Sequence, residues 1–173
     1  MIPNTQKLLD ETSWQILAIL QEDARIPLKE LGQRVGLSSP AVTERVRRLE
    51  ESGIITRYRA ELNLEKLGLP IAAFITIKSF GHRCDEIRSL LQDSPEVEAC
   101  YRVTGSDHYL VKVAVTSVSH LEQLVDRFIP YATVTTSVVL SIPVARRTIS
   151  EAIFPKSPKR IRAIALLPTP KTA

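Results

Sequence analysis

From Ser13 onward, apolar residues return at helical spacing: Ile16, Leu17 and Leu20 define a stripe that Trp14 and Ile19 widen. That period predicts a first amphipathic helix, capped by Asp10 or Ser13. Pro27 opens a second helix of about two turns, ending at Val35. In it Leu28, Leu31 and Val35 share one face, and Lys29, Glu30, Gln33 and Arg34 point away. Gly36 is placed to end it, because the left-handed residue after a helix is most easily a glycine. Ser38 or Ser39 can cap a third helix with Pro40 in its first turn, where a missing N–H is harmless. Val42, Val46 and Leu49 form its buried stripe, and Gly53 supplies the stop. Three short helices with a tight turn between the second and third predict a helix-turn-helix unit. IITRYRAELN, residues 54–63, alternates in character and reads as an exit strand. The first domain is set at residues 1–62, and residues 63–70, rich in turn formers, make a linker.

Beyond the linker the period changes. Strands are predicted at Ala72–Ser79, Val97–Thr104, Tyr109–Thr116 and Val134–Pro143, and helices at Asp85–Gln92 and Val118–Ile129. The order β-α-β-β-α-β predicts a ferredoxin-like sheet with both helices on one face, over residues 71–148. The fold class is therefore α+β. Residues 149–173, with four of their residues proline (Pro155, Pro158, Pro168, Pro170), read as a flexible tail with one apolar patch, Ile161–Leu167.

Composition narrows the class. The chain has 173 residues, 44% of them hydrophobic and 24% charged, which suits two small globular domains. No apolar run approaches the roughly 20 residues of a membrane span, and the N-terminus lacks a basic segment followed by an apolar core. A cytoplasmic protein with no membrane partner is expected. Cys84 and Cys100 are too few and too far apart for a disulfide framework or a metal site, and both are expected as thiols. The formal net charge is +4, but the five basic residues after Glu151 (Lys156, Lys159, Arg160, Arg162, Lys171) stand with no acid. Without them 18 basic residues face 19 acidic ones, so a nucleic-acid partner must be argued from a local surface.

The third helix offers one. With Val42 set at zero and about 100° per residue, Pro40, Thr43, Glu44 and Arg47 fall on the side away from the core, with Arg48 on the flank. Arg45 lies beside the apolar stripe, its stem packed and its head reaching sideways. A helix entering the major groove of double-stranded DNA needs a small N-terminus near phosphates, then hydroxyls and guanidinium groups that match base edges. Ser38 and Ser39 suit phosphate, Thr43 and Arg47 base edges, and Arg48 the backbone. The plainer alternative is a solvated helix face in which Glu44 pairs with Arg48 and Arg47 with Glu51.

The stretch DARIPLKELGQRVGLSSPAVTERVRRLEESGIITRYRAELN, residues 23–63, resembles the DNA-binding domain of the Lrp/AsnC family, the leucine-responsive or feast/famine transcription regulators. The likeness continues through PEVEACYRVTGSDHYLVKVAV and ATVTTSVVLSIP and spans Leu9 to Arg147. It implies dimers that assemble further into octamers through the ferredoxin-like domain, with an amino acid or related metabolite bound between those domains and no cofactor. It also implies that the turn before the third strand lines that pocket. The family's usual Gly-x-x-Asp-Tyr reads here Gly105-Ser106-Asp107-His108-Tyr109, which puts His108 where aspartate is common and Asp107 one residue early. Thr133, Thr135, Thr136 and Ser137 on the last strand are further polar candidates, and histidine titrates near neutrality. The plain alternative is an ordinary hairpin turn.

Two rival functions share the pattern. A nucleoid-organising protein would bind DNA broadly with no dedicated effector. The sirohaem decarboxylases resemble the same two-domain plan and use histidine near a tetrapyrrole; His82, His108 and His120 are present, but none stands in a ligand motif. No triad, phosphate-binding glycine loop or metal cluster is legible. A DNA-binding regulator, not an enzyme, is expected.

Overall fold

The computed structural model describes residues 8–144 and 146–154. The chain divides into two units, one made of residues 1–59 and 146–173, the other of residues 60–145.

The first unit holds α1 (Glu11–Glu22), α2 (Leu28–Arg34) and α3 (Ser39–Glu51). Their apolar stripes converge as the periodicity predicts: Ile16, Leu31, Val42 and Leu49 are buried, with Leu20, Ile26 and Val46 beside them. Asp10 caps α1, accepting the Ser13 amide at 2.8 Å. At Gly36 the backbone has φ +69°, the left-handed geometry that ends α2. Gly32 serves a different need: a Cβ there would stand 2.8 Å from the Leu37 carbonyl oxygen and 3.3 Å from Val42 Cγ1. That close approach lets α3 cross over α2.

Residues 54–63 carry no strand in the single chain and residues 56–63 are exposed. The alternation is real, but a strand exists only where a neighbour supplies the ladder. The linker is a compact turn: Asn63 Oδ1 accepts the Lys66 amide at 2.9 Å, and Leu69 donates to the Leu64 carbonyl at 2.9 Å.

In the second unit β1 (Ile71–Ser79), α4 (Cys84–Gln92), β2 (Val97–Arg102), β3 (Tyr109–Val115), α5 (Val118–Asp126) and β4 (Ala132–Val138) follow the expected order. The sheet runs β2-β3-β1-β4, every neighbour antiparallel. Ala73, Ile75 and Ile77 of β1 stand opposite Val113, Val111 and Tyr109 of β3, and all six are buried with Ile87 and Leu91 of α4 and Leu121 and Leu124 of α5. Both helices thus cover one face. β4 ends earlier than its apolar pattern suggests, because Ala73 is already opposite Val138 and β1 begins at Ile71. Beyond that point Val138, Leu140, Ile142 and Val144 continue to alternate, all exposed, Leu140 at 95%.

Residues 149–154, the described part of the segment read as a tail, make contacts with the first unit. The chain re-enters the first unit at Arg146. Gln21 Nε2 donates to the Ile149 carbonyl at 2.9 Å, and the Ile149 amide donates back to Gln21 Oε1 at 2.8 Å. A single 3₁₀ turn, Glu151–Ile153, comes next, and Phe154 lies with its ring 5.8 Å from that of Trp14. Backbone groups need partners whatever the local period, and Gln21 offers both a donor and an acceptor. Residues 155–173, including the apolar patch Ile161–Leu167, lie outside the described residues.

Candidate nucleic-acid interface and effector turn

Helix α3 starts as its sequence dictates. Ser38 occupies the cap position with extended backbone (φ −68°, ψ 155°), but its side chain makes no capping hydrogen bond. Ser39 and Pro40 fill the first helical positions. Thr43 Oγ1 donates to the Ser39 carbonyl at 2.7 Å, which leaves the hydroxyl oxygen as an acceptor.

The charged face is a network inside the helix. Arg47 donates through Nε and Nη2 to the two oxygens of Glu44, at 2.8 and 2.7 Å, and also pairs with Glu51. Arg48 Nε donates to Glu44 Oε1 at 2.8 Å. Hydrogen bonds from Arg47, then from Arg48, hold the Glu44 carboxyl down at about 2, and Glu44 and Glu51 raise Arg47 further above its ordinary value. The pairs expected of a plain surface helix are therefore present. They do not oppose DNA binding, because the Arg47 and Arg48 side chains are 53% and 59% exposed. Exposed pairs one turn apart contribute little in water, whereas a bidentate arginine–guanine contact discriminates by about 1–3 kcal/mol.

Arg45 does what its position beside the stripe predicts. Its Nη1 reaches both oxygens of Asp10 at 2.8 Å and Ser13 Oγ at 3.2 Å. Burial pushes the Asp10 carboxyl up, but the Ser13 amide and Arg45 outweigh it and leave the group below its ordinary value. One carboxylate thus caps α1 and ties α3 to it. The sequence had marked Asp10 only as a cap; its second partner lies 35 residues away, beyond any local pattern.

At the other candidate site the turn from Thr104 to His108 closes the β2–β3 hairpin, with Val103 donating to the His108 carbonyl at 3.1 Å. Gly105 has φ +121°. Ser106 Oγ lies 3.4 Å from Asp107 Oδ2, and Ser106 is exposed while Asp107 and His108 are half-buried. His108 is tied to β1 twice: its amide donates to the Ile77 carbonyl at 2.9 Å, and its Nδ1 accepts the Ser79 amide at 3.2 Å. Nδ1 is thereby an acceptor, leaving Nε2 to carry the proton of the neutral ring.

Register sorts the β4 candidates. Thr133, Thr135 and Ser137 stand opposite Lys78, Thr76 and Phe74, on the sheet face the helices leave open. Thr136 stands opposite Ile75 and shares the helix-covered side. Only Thr133 lies at the end of the sheet where the turn closes; Thr135 and Ser137 are about 7 and 14 Å further along. Lys78, exposed between His108 and Thr133, was missed, because alternation alone does not say which strand neighbours which.

The remaining histidine chemistry is internal where it is engaged. His120 Nε2 meets Glu96 Oε1 at 3.1 Å, and its Nδ1 lies 3.1 Å from Thr116 Oγ1. Among the described residues no group of three or more His, Cys, Asp or Glu side chains is placed to hold a metal ion, and no helix is long and apolar enough to cross a membrane.

Residues 9–56 match the family described as winged helix-turn-helix DNA-binding, and residues 72–149 match the Lrp/AsnC ligand binding domain. The chain is 37% identical over 135 residues to the HTH-type transcriptional regulator LrpC of Bacillus subtilis, covering 77% of this chain and 92% of that protein. The solved structure of B. subtilis LrpC superposes with a TM-score of 0.76 at 35% identity, covering 80% of this chain and 99% of that one. A feast or famine regulatory protein from M. tuberculosis, solved in complex with L-methionine, superposes with a TM-score of 0.75 at 33% identity, covering 82% and 99%. The helix-turn-helix unit, the ferredoxin-like sheet and these likenesses agree, and the chain belongs to the Lrp/AsnC family of DNA-binding transcription regulators.

Proposed function

We propose that this chain is a sequence-specific transcription regulator that acts as a homodimer, or a larger assembly of dimers, and responds to an amino acid or closely related metabolite. The observation that carries the reading is α3 itself, with Thr43, Arg47 and Arg48 exposed on one side and held only by weak intrahelical pairs. Ser38, Ser39 and Pro40 bring the helix start to the phosphates. Thr43, Glu44 and Arg47 read base edges, a glutamate suiting the cytosine amine, and Arg48 holds the backbone.

Dimerisation is supported by what a single chain leaves uncovered. Residues 54–63 have strand character but no ladder, and Val138, Leu140, Ile142 and Val144 line up exposed. Pairing of these segments between two copies covers both. Two recognition helices related by a two-fold axis then meet half-sites about 34–36 Å apart, so the operators are imperfect palindromes.

The effector reading rests on the polar turn Gly105–His108 beside Lys78 and Thr133, and on the L-methionine complex of the mycobacterial relative. Lys78 suits a carboxylate; Asp107 suits an α-amino group. Ser106, Thr135, Thr136 and Ser137 are the remaining candidates, with Thr136 the least favoured by its face.

Fluorescence anisotropy on the DNA upstream of the protein's own gene, with excess unrelated DNA and a salt series, tests the proposal. Binding that survives competitor and weakens steeply with salt supports it. Equal binding to all DNA supports the broad nucleoid role instead. Arg47→Ala is expected to lose about 10- to 100-fold on the operator and relax base preference, whereas Arg48→Ala weakens all sequences alike.

A further inference from the structure

Past Gly53, which has φ +73°, the chain doubles back on α3: the Ile55 amide donates to the Leu49 carbonyl at 3.0 Å, and Ile54 and Ile55 pack against the core of the first unit. Residues 56–59 then make no turn or bend, so the backbone runs extended. From this stretch Tyr58 reaches back to α3, where its hydroxyl donates to Glu50 Oε1 at 2.8 Å. Partial burial, then the Glu50 carboxylate, push the phenol up to about 12, so the donor keeps its proton at neutral pH. Glu50 stands about two turns on from Thr43, on the flank of α3 that leads to Arg47. The latch therefore fixes the extended segment beside the face assigned to base edges.

An acid on that flank faces the negative charge of a duplex. Glu44 and Glu51 are matched by Arg47 and Arg48, whereas Glu50 joins no ion pair among the described residues and takes the Tyr58 hydroxyl instead. In an extended segment neighbouring side chains point to opposite sides. With Tyr58 turned to α3, Arg57 and Arg59 point away from it, their backbone positions about 7 Å apart. Both are exposed and belong to the first unit. Arg34, Arg45, Arg47 and Arg48 of that unit are each paired with a carboxylate; among the described residues Arg57 and Arg59 are paired with none. Like charges at this spacing repel, and an anionic strand laid across both relieves the repulsion.

We infer that Tyr58, latched to Glu50, positions Arg57 and Arg59 as a further phosphate-binding element of the DNA interface, gripping the sugar-phosphate backbone beside the groove that α3 enters. The inference rests on the DNA-binding reading above and extends it to a segment outside the helix-turn-helix. Guanidinium groups suit phosphate oxygens, and such contacts set register without carrying sequence information. Pairing of this segment between two copies uses backbone groups at its edge and leaves the side-chain faces open.

The experiment titrates the DNA upstream of the protein's own gene and an unrelated duplex, each across a salt series. The full chain is compared with R57Q and R59Q together, R57K and R59K together, Tyr58→Phe, and Tyr58→Phe combined with R57Q and R59Q. With two arginines from each of two copies, the glutamine form should make the slope of log K against log salt shallower by about 2–4 and weaken both duplexes alike, about 10- to 100-fold at ~0.1 M salt. The preference for the upstream DNA should stay as in the full chain, unlike that of Arg47→Ala. The lysine form keeps both charges and should keep the slope. Tyr58→Phe removes one hydrogen bond and no charge; it should weaken both duplexes by about 2- to 10-fold, and by nothing further once the arginines are gone.

An unchanged slope in the glutamine form overturns the inference, as does a lysine form that loses as much as the glutamine form. A Tyr58→Phe change that leaves affinity unaltered, or that weakens binding equally with and without the arginines, overturns the positioning role of the latch. If the full chain binds neither duplex at low salt, the DNA-binding reading itself fails, an outcome seen before any variant is compared.

Discussion

Asp10 performs two tasks at once, and substitution can separate them. As cap, its Oδ1 accepts the Ser13 amide at 2.8 Å; as clamp, both oxygens take Arg45 Nη1 at 2.8 Å. Replacing a capping aspartate by alanine costs about 1 kcal/mol. The ion pair is 35% and 46% exposed at its two side chains, so solvent screens it, and about 0.5 kcal/mol is its share. Asp10→Ala should therefore lose about 1.5 kcal/mol from the first unit, while Asp10→Asn, which retains a capping oxygen, should lose about 0.5 kcal/mol. For a unit this size that is about 6–12 °C in Tm against about 2–4 °C. Urea unfolding followed by Trp14 emission reads the difference directly, because Trp14 lies on α1 itself. The carboxyl is held below its ordinary value, so its contribution is complete above the usual aspartate range and is lost as pH falls through the lower folded value. Wild type and Asp10→Ala should thus converge in acid. Equal losses in Asn and Ala variants, or a gap that persists unchanged into acid, would falsify the two-task account.

Gly32→Ala should destabilise the first unit by about 1–3 kcal/mol, because the added Cβ meets the Leu37 carbonyl at 2.8 Å and backbone must move; urea midpoints read this. Helicity of α3 should persist through mild acid and decline only as pH falls from the ordinary glutamate range towards about 2, where Glu44 takes up a proton, and Glu44→Gln should abolish that step in a circular-dichroism titration. His108→Ala leaves the Ser79 amide without its acceptor and should cost about 1 kcal/mol while reducing effector affinity; calorimetry separates the two. Leu140→Asp with Ile142→Asp should yield monomers in sedimentation while leaving the fold intact, since both side chains are exposed in the single chain.

The sequence made the elements legible and left their partners hidden. Period 3.6 placed α1, α2 and α3 within a residue or two, and the order of elements in the second unit predicted the sheet. Each of those signals is local and is written by burial along one face. Partners across distance are not: the clamp of Asp10 on Arg45, the Lys78–Thr133 neighbourhood and the Gln21–Ile149 bridge join positions that share no period. Residues 54–63 show the converse, a strand signal whose ladder no part of the described chain supplies. The resemblance pointed to the turn Gly105–His108 and strand alternation set Thr136 apart from Thr133, Thr135 and Ser137, but only the register put Thr133 at the turn's end of the sheet.

The segment Ile149–Phe154, which folds back onto α1, also sets an order in time. The helix-turn-helix unit is discontinuous: residues 1–59 are made first, and the segment that closes over Trp14 and Gln21 is made only after the whole sheet has been synthesised. A ribosome that stops early releases a recognition helix on a unit still lacking its cover. A fragment cut at the linker does the same, so dissection at the apparent domain boundary yields a different object from the unit in the full chain.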